Sequence, residues 1–410
     1  MLAPLRPPVP RPPTHHGLEV LGTVVVCARG SAPGPPLGHA LSAGAMKGEP
    51  GPPALEVSTV ADDEVVAHVP GRPAMVLTLG GLPPDTEVDL APLLRQAPPG
   101  TEVREGLRAV RTLPRPPGPF LARVATVNDL HFGEVEAGAY GGDPPVEGVR
   151  VEAGEAPYPE TMSRGAAEEV EACRPDAVVA NGDLTAAGRP SEVDAFRSCW
   201  QARFGVRLHW VPGNHDVATG PCQGPPTKEV RLPGLTLALL DTTIPGRPTG
   251  ALSAEQVEWL DELGSRSETP VLVLGHHHPW SPAYGSRPAG YFGIKPDDSE
   301  ALVEVVARRP AIIGYASGHT HRNRVRRFPG TGEVPWAEVA ALKDYPGTWV
   351  EYRVYEGGVL HVHRRVSTSA ALDWSERCRA MLNGWYPTYA FGGLADRCFP
   401  LWPRRHPCHH

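Results

Sequence analysis

Five short polar clusters carry the side chains most capable of chemistry: Asp129-Leu130-His131, Gly182-Asp183, Gly213-Asn214-His215-Asp216, His276-His277-His278-Pro279 and Gly318-His319-Thr320-His321. Together they offer carboxylates, imidazoles and one carboxamide, the mixed oxygen and nitrogen donors that divalent and trivalent first-row metals accept. In an extended D-x-H or H-x-H segment both side chains project to the same side. One aspartate can bridge two ions with its two oxygens, and an asparagine adds a neutral oxygen that tempers the charge. A glycine precedes Asp183, Asn214 and His319, allowing tight turns and close approach of the backbone to the ions. The residue types suit two metal ions held close together.

The clusters need elements that bring them to one place. Each follows an apolar run: LARVATV, AVVA, LHWV, PVLVLG and AIIGYAS. Between the runs lie helical patterns near 161–173, 191–203, 253–264 and 298–308, one of them opened by a capping box at Ser253 and Gln256. Buried strands alternating with helices predict a layered α/β fold, in which side chains at the carboxyl ends of the strands converge. VEYRVYEGGVLHVHRRV predicts a hairpin with a Gly357-Gly358 turn. Upstream, residues 17–118 read as short strands between Gly, Pro and Asp turns, a small fibronectin- or Ig-like β-sandwich. Residues 1–16 read as a disordered Pro-rich tail, and the stiff RPPGP link leads into a domain spanning 119–369. Residues 370–410 form an extension with one helix candidate and an aromatic, Pro-rich end.

Bulk composition narrows the function classes. The 410 residues carry a net charge of −7, which gives no basic track for a nucleic-acid polymer. The seven cysteines, at 27, 173, 199, 222, 378, 398 and 408, form no CxxC and fit small core thiols in a reducing compartment. The first residues lack an apolar signal core, and no run is long enough to span a membrane. The expectation is a cytoplasmic protein with no membrane partner. A role for the β domain in a homodimer stays open.

The order D-x-H, G-D, G-N-H-D, H-x-P, G-H-x-H resembles the calcineurin-like metallophosphoesterase superfamily over about 120–365. The resemblance implies a four-layer α/β/β/α domain, here preceded by the small all-β sandwich. It implies two metal ions of Mn, Fe or Zn type. Asp129, His131, Asp183 and His321 would hold the first, and Asp183, Asn214, His277 and His319 the second. His277 is selected because it stands two residues before the proline, and alternation then turns His276 and His278 away; His276 is the alternative. A hydroxide bridging the ions would attack phosphorus in line. His215 would protonate the leaving group, with Asp216 orienting it.

The wording of NGDLT, DLHFG and SGHTHRN is similar to bacterial class III cyclic-nucleotide phosphodiesterases. A phosphodiester, cyclic or otherwise small, is therefore the expected substrate. A phosphomonoesterase and a non-catalytic scaffold are the alternatives. The two-domain layout is like that of purple acid phosphatases, but Ala186 stands where their colour-giving tyrosine would be. Arg322 is a candidate for substrate binding, and the loops at 136–160, 219–229 and 280–298, with Tyr284, Tyr291 and Phe292, are placed to set specificity. His361 and His363 alternate in a strand without a carboxylate motif and read as a solvated face. His406, Cys408, His409 and His410 read as a floppy end.

Overall fold

The computed structural model describes residues 54–72, 74–103, 106–139, 146–220 and 224–404. The expected tail at 1–16 and the terminal His406, Cys408, His409 and His410 lie outside these residues. All the described residues fall in one compact unit.

The chain begins with β1 (Ala54–Val60), β2 (Glu64–Val69), β3 (Met75–Gly80), β4 (Glu87–Asp89), β5 (Glu102–Val103) and β6 (Ala109–Arg111). They form a four-stranded sheet in the order β3-β2-β1-β5 and a β4–β6 pair. A short helix, Ala91–Gln96, interrupts this otherwise all-β stretch. Twelve further strands follow. They are β7 (Phe120–Val127), β8 (Ala177–Asn181), β9 (Leu208–Val211), β10 (Thr227–Leu232), β11 (Leu235–Leu240) and β12 (Val271–Gly275). Then come β13 (Ile312–Ser317), β14 (Arg324–Arg326), β15 (Trp336–Glu338), β16 (Thr348–Tyr355), β17 (Gly358–Arg365) and β18 (Cys398–Leu401). They make two six-stranded sheets, β18-β17-β16-β7-β8-β9 and β10-β11-β12-β13-β15-β14.

Three apolar clusters explain the layering. Leu, Val and Ala side chains of β7, β8, β11, β12, β13 and β16 fill the space between the two sheets. The opposite face of the first sheet packs against the helix Tyr158–Ala172, the Pro190–Phe196 segment and the C-terminal helices. The opposite face of the second packs against Ala254–Arg266 and Pro296–Arg308. The result is the expected α/β/β/α arrangement. Strands covered on both faces read as continuous apolar runs, and β8, β11, β12 and β13 are buried throughout.

Local signals act where expected. Ser253 Oγ accepts from the Gln256 N–H, and Gln256 Oε1 accepts from the Ser253 N–H. β16 and β17 form the hairpin, but Tyr355 pairs with Gly358, so the turn falls at Glu356-Gly357, one residue earlier than expected. His361 and His363 depart from expectation. Both are buried, because the C-terminal segment returns as β18 alongside β17. His361 stacks on Phe399 with centroids 4.3 Å apart, and His363 Nε2 bonds Thr348 Oγ1 at 3.1 Å. Leu360, Val362 and Cys398 from this region share a core with Leu55, Val57 and Val65 of the N-terminal strands.

Candidate metal centre

β7 and β8 run parallel, as do β12 and β13, so the loops leaving their carboxyl ends meet. The Asp129 N–H bonds the Gly182 carbonyl at 3.0 Å, and the Leu130 and His131 N–H groups bond the Asp183 carbonyl. These bonds lock the first two motifs together. The His319 N–H donates to Asp129 Oδ1 at 3.0 Å, tying in the last motif. The His215 N–H donates to Asp183 Oδ1 at 2.9 Å, tying in the third.

The backbone here is held in an unusual state. Asp129, His131, Asp183, His319 and His321 have φ of 53°, 50°, 49°, 65° and 52°. For a non-glycine residue the left-handed region costs on the order of 1 kcal/mol or more. All five are expected ligands. Gly182, at φ 88°, is required for a second reason as well: a Cβ there would meet the His276 ring at 2.3 Å.

The side chains converge on one another. Asp183 Oδ2 lies 3.5 Å from His131 Nε2 and 3.2 Å from His276 Nε2. Asp129 Oδ1 lies 3.4 Å from His321 Nε2. Donor atoms of Asp129, His131 and His321 fall within 4.8 Å of one another, as do those of Asp129, Asp183 and His276, and those of His276, His277 and His319. His131 Nε2, Asn214 Oδ1, His276 Nε2, His277 Nε2 and His319 Nε2 are buried with no hydrogen-bond partner. Buried polar atoms normally find partners, and metal ions would satisfy this set. Burial, aided by Lys343, pushes His131 down to about 4. Burial, aided by His276, pushes His277 down to about 3. Both are therefore neutral, the form that ligates metal. Burial opposes charge on His276, but Asp183 and then Asp129 outweigh it and push this group up to about 9. The two carboxylates thus draw positive charge into the space between them.

His276 corrects the sequence expectation. Alternation does not turn it away from the site. Leu272 and Leu274 of β12 face the other sheet, and His276 continues that parity into the gap where Asp183 sits. Its Nδ1 bonds the Asn181 carbonyl at 3.1 Å, leaving Nε2 toward Asp183. His277 lies beside it, with Nδ1 2.7 Å from Thr242 Oγ1 and its ring 4.5 Å from that of His319. His278 bonds the Tyr291 hydroxyl at 2.9 Å.

The His215 and Asp216 pairing is also different from expectation. His215 Nδ1 bonds the Ala186 carbonyl at 2.8 Å, so Nδ1 carries the hydrogen and Nε2 is free for proton exchange. A ring nitrogen of His215 lies within 4.8 Å of donor atoms of both His131 and Asp183. Asp216 does not orient it. Its carboxylate instead accepts from the N–H groups of Leu184, Thr185 and Gly213 and from the Thr185 hydroxyl. Those bonds clamp the loop carrying Asp183 to the loop carrying Asn214.

Three residues behind the ligands had not been singled out. His131 Nδ1 lies 3.5 Å from Glu134 Oε2, and His321 Nδ1 lies 3.8 Å from Asp344 Oδ2. Between these carboxylates lies the buried Lys343, its Nζ 2.5 Å from Glu134 and 3.8 Å from Asp344. Tyr386 donates to Asp344 Oδ1 at 2.7 Å, and Trp374 Nε1 donates to the Lys343 carbonyl at 2.8 Å. Both aromatics come from the C-terminal segment. Arg322 lies 3.1 Å from Glu338, with its guanidinium 5.2 Å from the centre of the Tyr389 ring.

Residues 122–323 match the calcineurin-like phosphoesterase family. The chain is 30% identical over 169 residues to a cAMP/cGMP dual specificity phosphodiesterase of Mycobacterium tuberculosis (strain CDC 1551 / Oshkosh), covering 38% of this chain and 52% of that one. It is 28% identical over 173 residues to a glycerophosphodiester phosphodiesterase of Enterobacter lignolyticus (strain SCF1), covering 38% and 59%. It is 31% identical over 172 residues to the 3′,5′-cyclic adenosine monophosphate phosphodiesterase of Escherichia coli (strain K12), covering 37% and 58%. The chain thus spans 52% to 59% of the length of these relatives. Among the described residues, no helix is long and apolar enough to cross a membrane.

Proposed function

We take as premise that residues 122–323 belong to the calcineurin-like phosphoesterase family, and we propose that the chain is a metal-dependent hydrolase of small phosphodiesters, such as 3′,5′-cyclic nucleotides. One observation carries the reading. Asp129, His131, Asp183, His319 and His321 all hold left-handed backbones, in a site where His131 Nε2, Asn214 Oδ1, His276 Nε2, His277 Nε2 and His319 Nε2 are buried without a hydrogen-bond partner. Strain of this kind persists only where the surroundings enforce it, and it collects at functional sites. Relatives named for cyclic-nucleotide and glycerophosphodiester cleavage support a diester over a monoester.

In this reading Asp129, His131, Asp183 and His321 hold one ion. Asp183, Asn214, His276 and His319 hold the other, with His276 replacing His277 on the strength of its contact with Asp183. Asp183 is suited to bridge, because Oδ2 faces imidazoles of both groups. The donor set fits Mn, Fe or Zn alike. When bound, such a pair supplies a nucleophile at neutral pH and neutralises charge on the phosphate oxygens. The chain's own residues then have separable tasks. His215 presents Nε2 for transfer of a proton to the departing alkoxide, its ring fixed by the Ala186 carbonyl. Asp216 keeps the two ligand loops in register. Glu134, Asp344 and Lys343 support the imidazoles of the first ion from behind.

The test is turnover of 3′,5′-cAMP, bis(p-nitrophenyl) phosphate and p-nitrophenyl phosphate with Mn²⁺, Fe²⁺ or Zn²⁺. The expected result is metal-dependent hydrolysis with the diesters preferred. A strong preference for the monoester overturns the diester assignment, and no turnover with any metal overturns the enzyme reading.

A further inference from the structure

Arg322, Arg324 and Arg326 alternate along and just before the edge strand β14, so their side chains share one face. All three converge on one carboxylate. Arg322 Nε lies 3.1 Å from Glu338 Oε2, Arg324 Nε 2.9 Å from Oε1, and Arg326 Nε 3.1 Å from Oε1. Glu338 is buried, and the three arginine side chains are only 13% to 23% exposed. Three cations against one anion leave two positive charges that no other described carboxylate meets. Arg326 uses Nη2 on the Pro279 carbonyl at 2.7 Å, while its Nη1 is buried with no hydrogen-bond partner.

The other groups facing the cluster do not cancel this charge. His278 brings no carboxylate to the cluster; its Nε2 lies 2.9 Å from the Tyr291 hydroxyl. Tyr284 accepts from Arg324 at 3.2 Å. Burial raises its phenol, yet Arg326 and Arg324 outweigh burial and bring it below the ordinary tyrosine value. The excess charge therefore lies against Tyr284 of the loop at 280–298.

That loop joins the cluster to the metal centre. Tyr284 packs on Tyr291 with centroids 5.8 Å apart, Tyr291 bonds His278, and the His278 ring lies 6.3 Å from that of His319. Phe292, 40% exposed, stacks on His319 at 3.9 Å. Arg322 directly follows His321.

We propose that Arg322, Arg324 and Arg326 form an anion subsite beside the metal centre, which accepts a second phosphate group on the substrate. The inference rests on the phosphoesterase reading and narrows it. The preferred diester carries another phosphate beyond the one that is cleaved, with Phe292 flanking the part between them. A guanidinium trio sharing one carboxylate keeps donors free for the forked contacts that phosphate oxygens accept.

The experiment uses two matched pairs of probes that differ only in a 3′-phosphate. In the first, thymidine 3′,5′-bisphosphate and thymidine 5′-monophosphate are titrated calorimetrically into the full chain and into Arg326→Gln and Arg326→Lys variants. The bisphosphate is expected to bind the wild type at least tenfold more tightly than the monophosphate. The preference should fall to near one in R326Q and return in part in R326K. Equal affinities in the wild type, or a preference that survives R326Q, overturn the proposal.

The second pair is thymidine 3′-phosphate 5′-(p-nitrophenyl phosphate) and thymidine 5′-(p-nitrophenyl phosphate). The ratio of their kcat/KM values should exceed ten and drop at least tenfold in R326Q; a ratio near one contradicts the subsite. If neither ester turns over, the phosphoesterase reading fails, while the binding preference still decides the subsite.

Discussion

His276 Nε2 lies 3.2 Å from Asp183 Oδ2, the same oxygen that stands 3.5 Å from His131 Nε2. One carboxylate oxygen thus faces imidazoles from two different loops, so Asp183 would help to hold both ions. It also separates His276 from His277. His276→Ala is expected to lower bound metal from two ions per chain to about one, whereas His277→Ala retains about two. Elemental analysis of the purified variants checks this. Loss of metal from His277→Ala alone would reverse the assignment.

His215 contributes a proton in this account, not a metal bond. His215→Ala should slow hydrolysis of an alkyl diester by about 10²–10⁴-fold. Bis(p-nitrophenyl) phosphate, whose leaving group departs as a stable anion, should be affected far less. Rates on the two substrates give the comparison, and equal losses would remove His215 from the role of acid.

Asp216 has a structural assignment. It accepts four hydrogen bonds from Leu184, Thr185 and Gly213. Asp216→Ala strands those donors in a buried place, at about 1–3 kcal/mol for each donor left unsatisfied. Denaturant unfolding should register a loss of several kcal/mol. An unchanged midpoint would mean the loops hold together without it.

Lys343 lies between Glu134 and Asp344, the carboxylates behind His131 and His321. Lys343→Met leaves those carboxylates uncompensated and should disturb the support of the first ion. Outer partners of this kind are worth about 10–100-fold in metal affinity. Competition with a chelator measures the affinity, and a value within twofold of the wild type would confine Lys343 to packing.

Much of the candidate site was legible because the proposed ligands follow apolar strands at fixed short spacings, and parallel strands bring those ends together. The sandwich of sheets was legible for the same reason. What stayed hidden depends on tertiary partners. Which of His276 and His277 faces Asp183 is set by the parity of Leu272 and Leu274, knowable only once their side of the sheet is known. Asp216 beside His215 suggests a pair in the sequence, but the turn sends the carboxylate to backbone donors. Lys343 and Asp344 adjoin an apolar stretch without a motif, and their partners Tyr386 and Trp374 lie in a C-terminal segment whose docking no local pattern announces. The burial of His361 and His363 follows from β18, four residues long, which pairs with a strand that precedes it by more than thirty positions.

Asn214→Ala removes a neutral oxygen that is buried without a partner. As a ligand of the second ion, its loss should lower the diester rate by orders of magnitude, about 10² or more. Steady-state rates under saturating metal check this, and near-normal activity would exclude Asn214 from the centre.

The most direct measurement is a metal titration of the chelator-treated protein, followed by hydrolysis of bis(p-nitrophenyl) phosphate. No turnover is expected after chelation, and recovery with Mn²⁺ should saturate at about two equivalents per chain. Turnover that survives complete removal of metal, or a failure to recover with Mn, Fe or Zn in a folded protein, would contradict it.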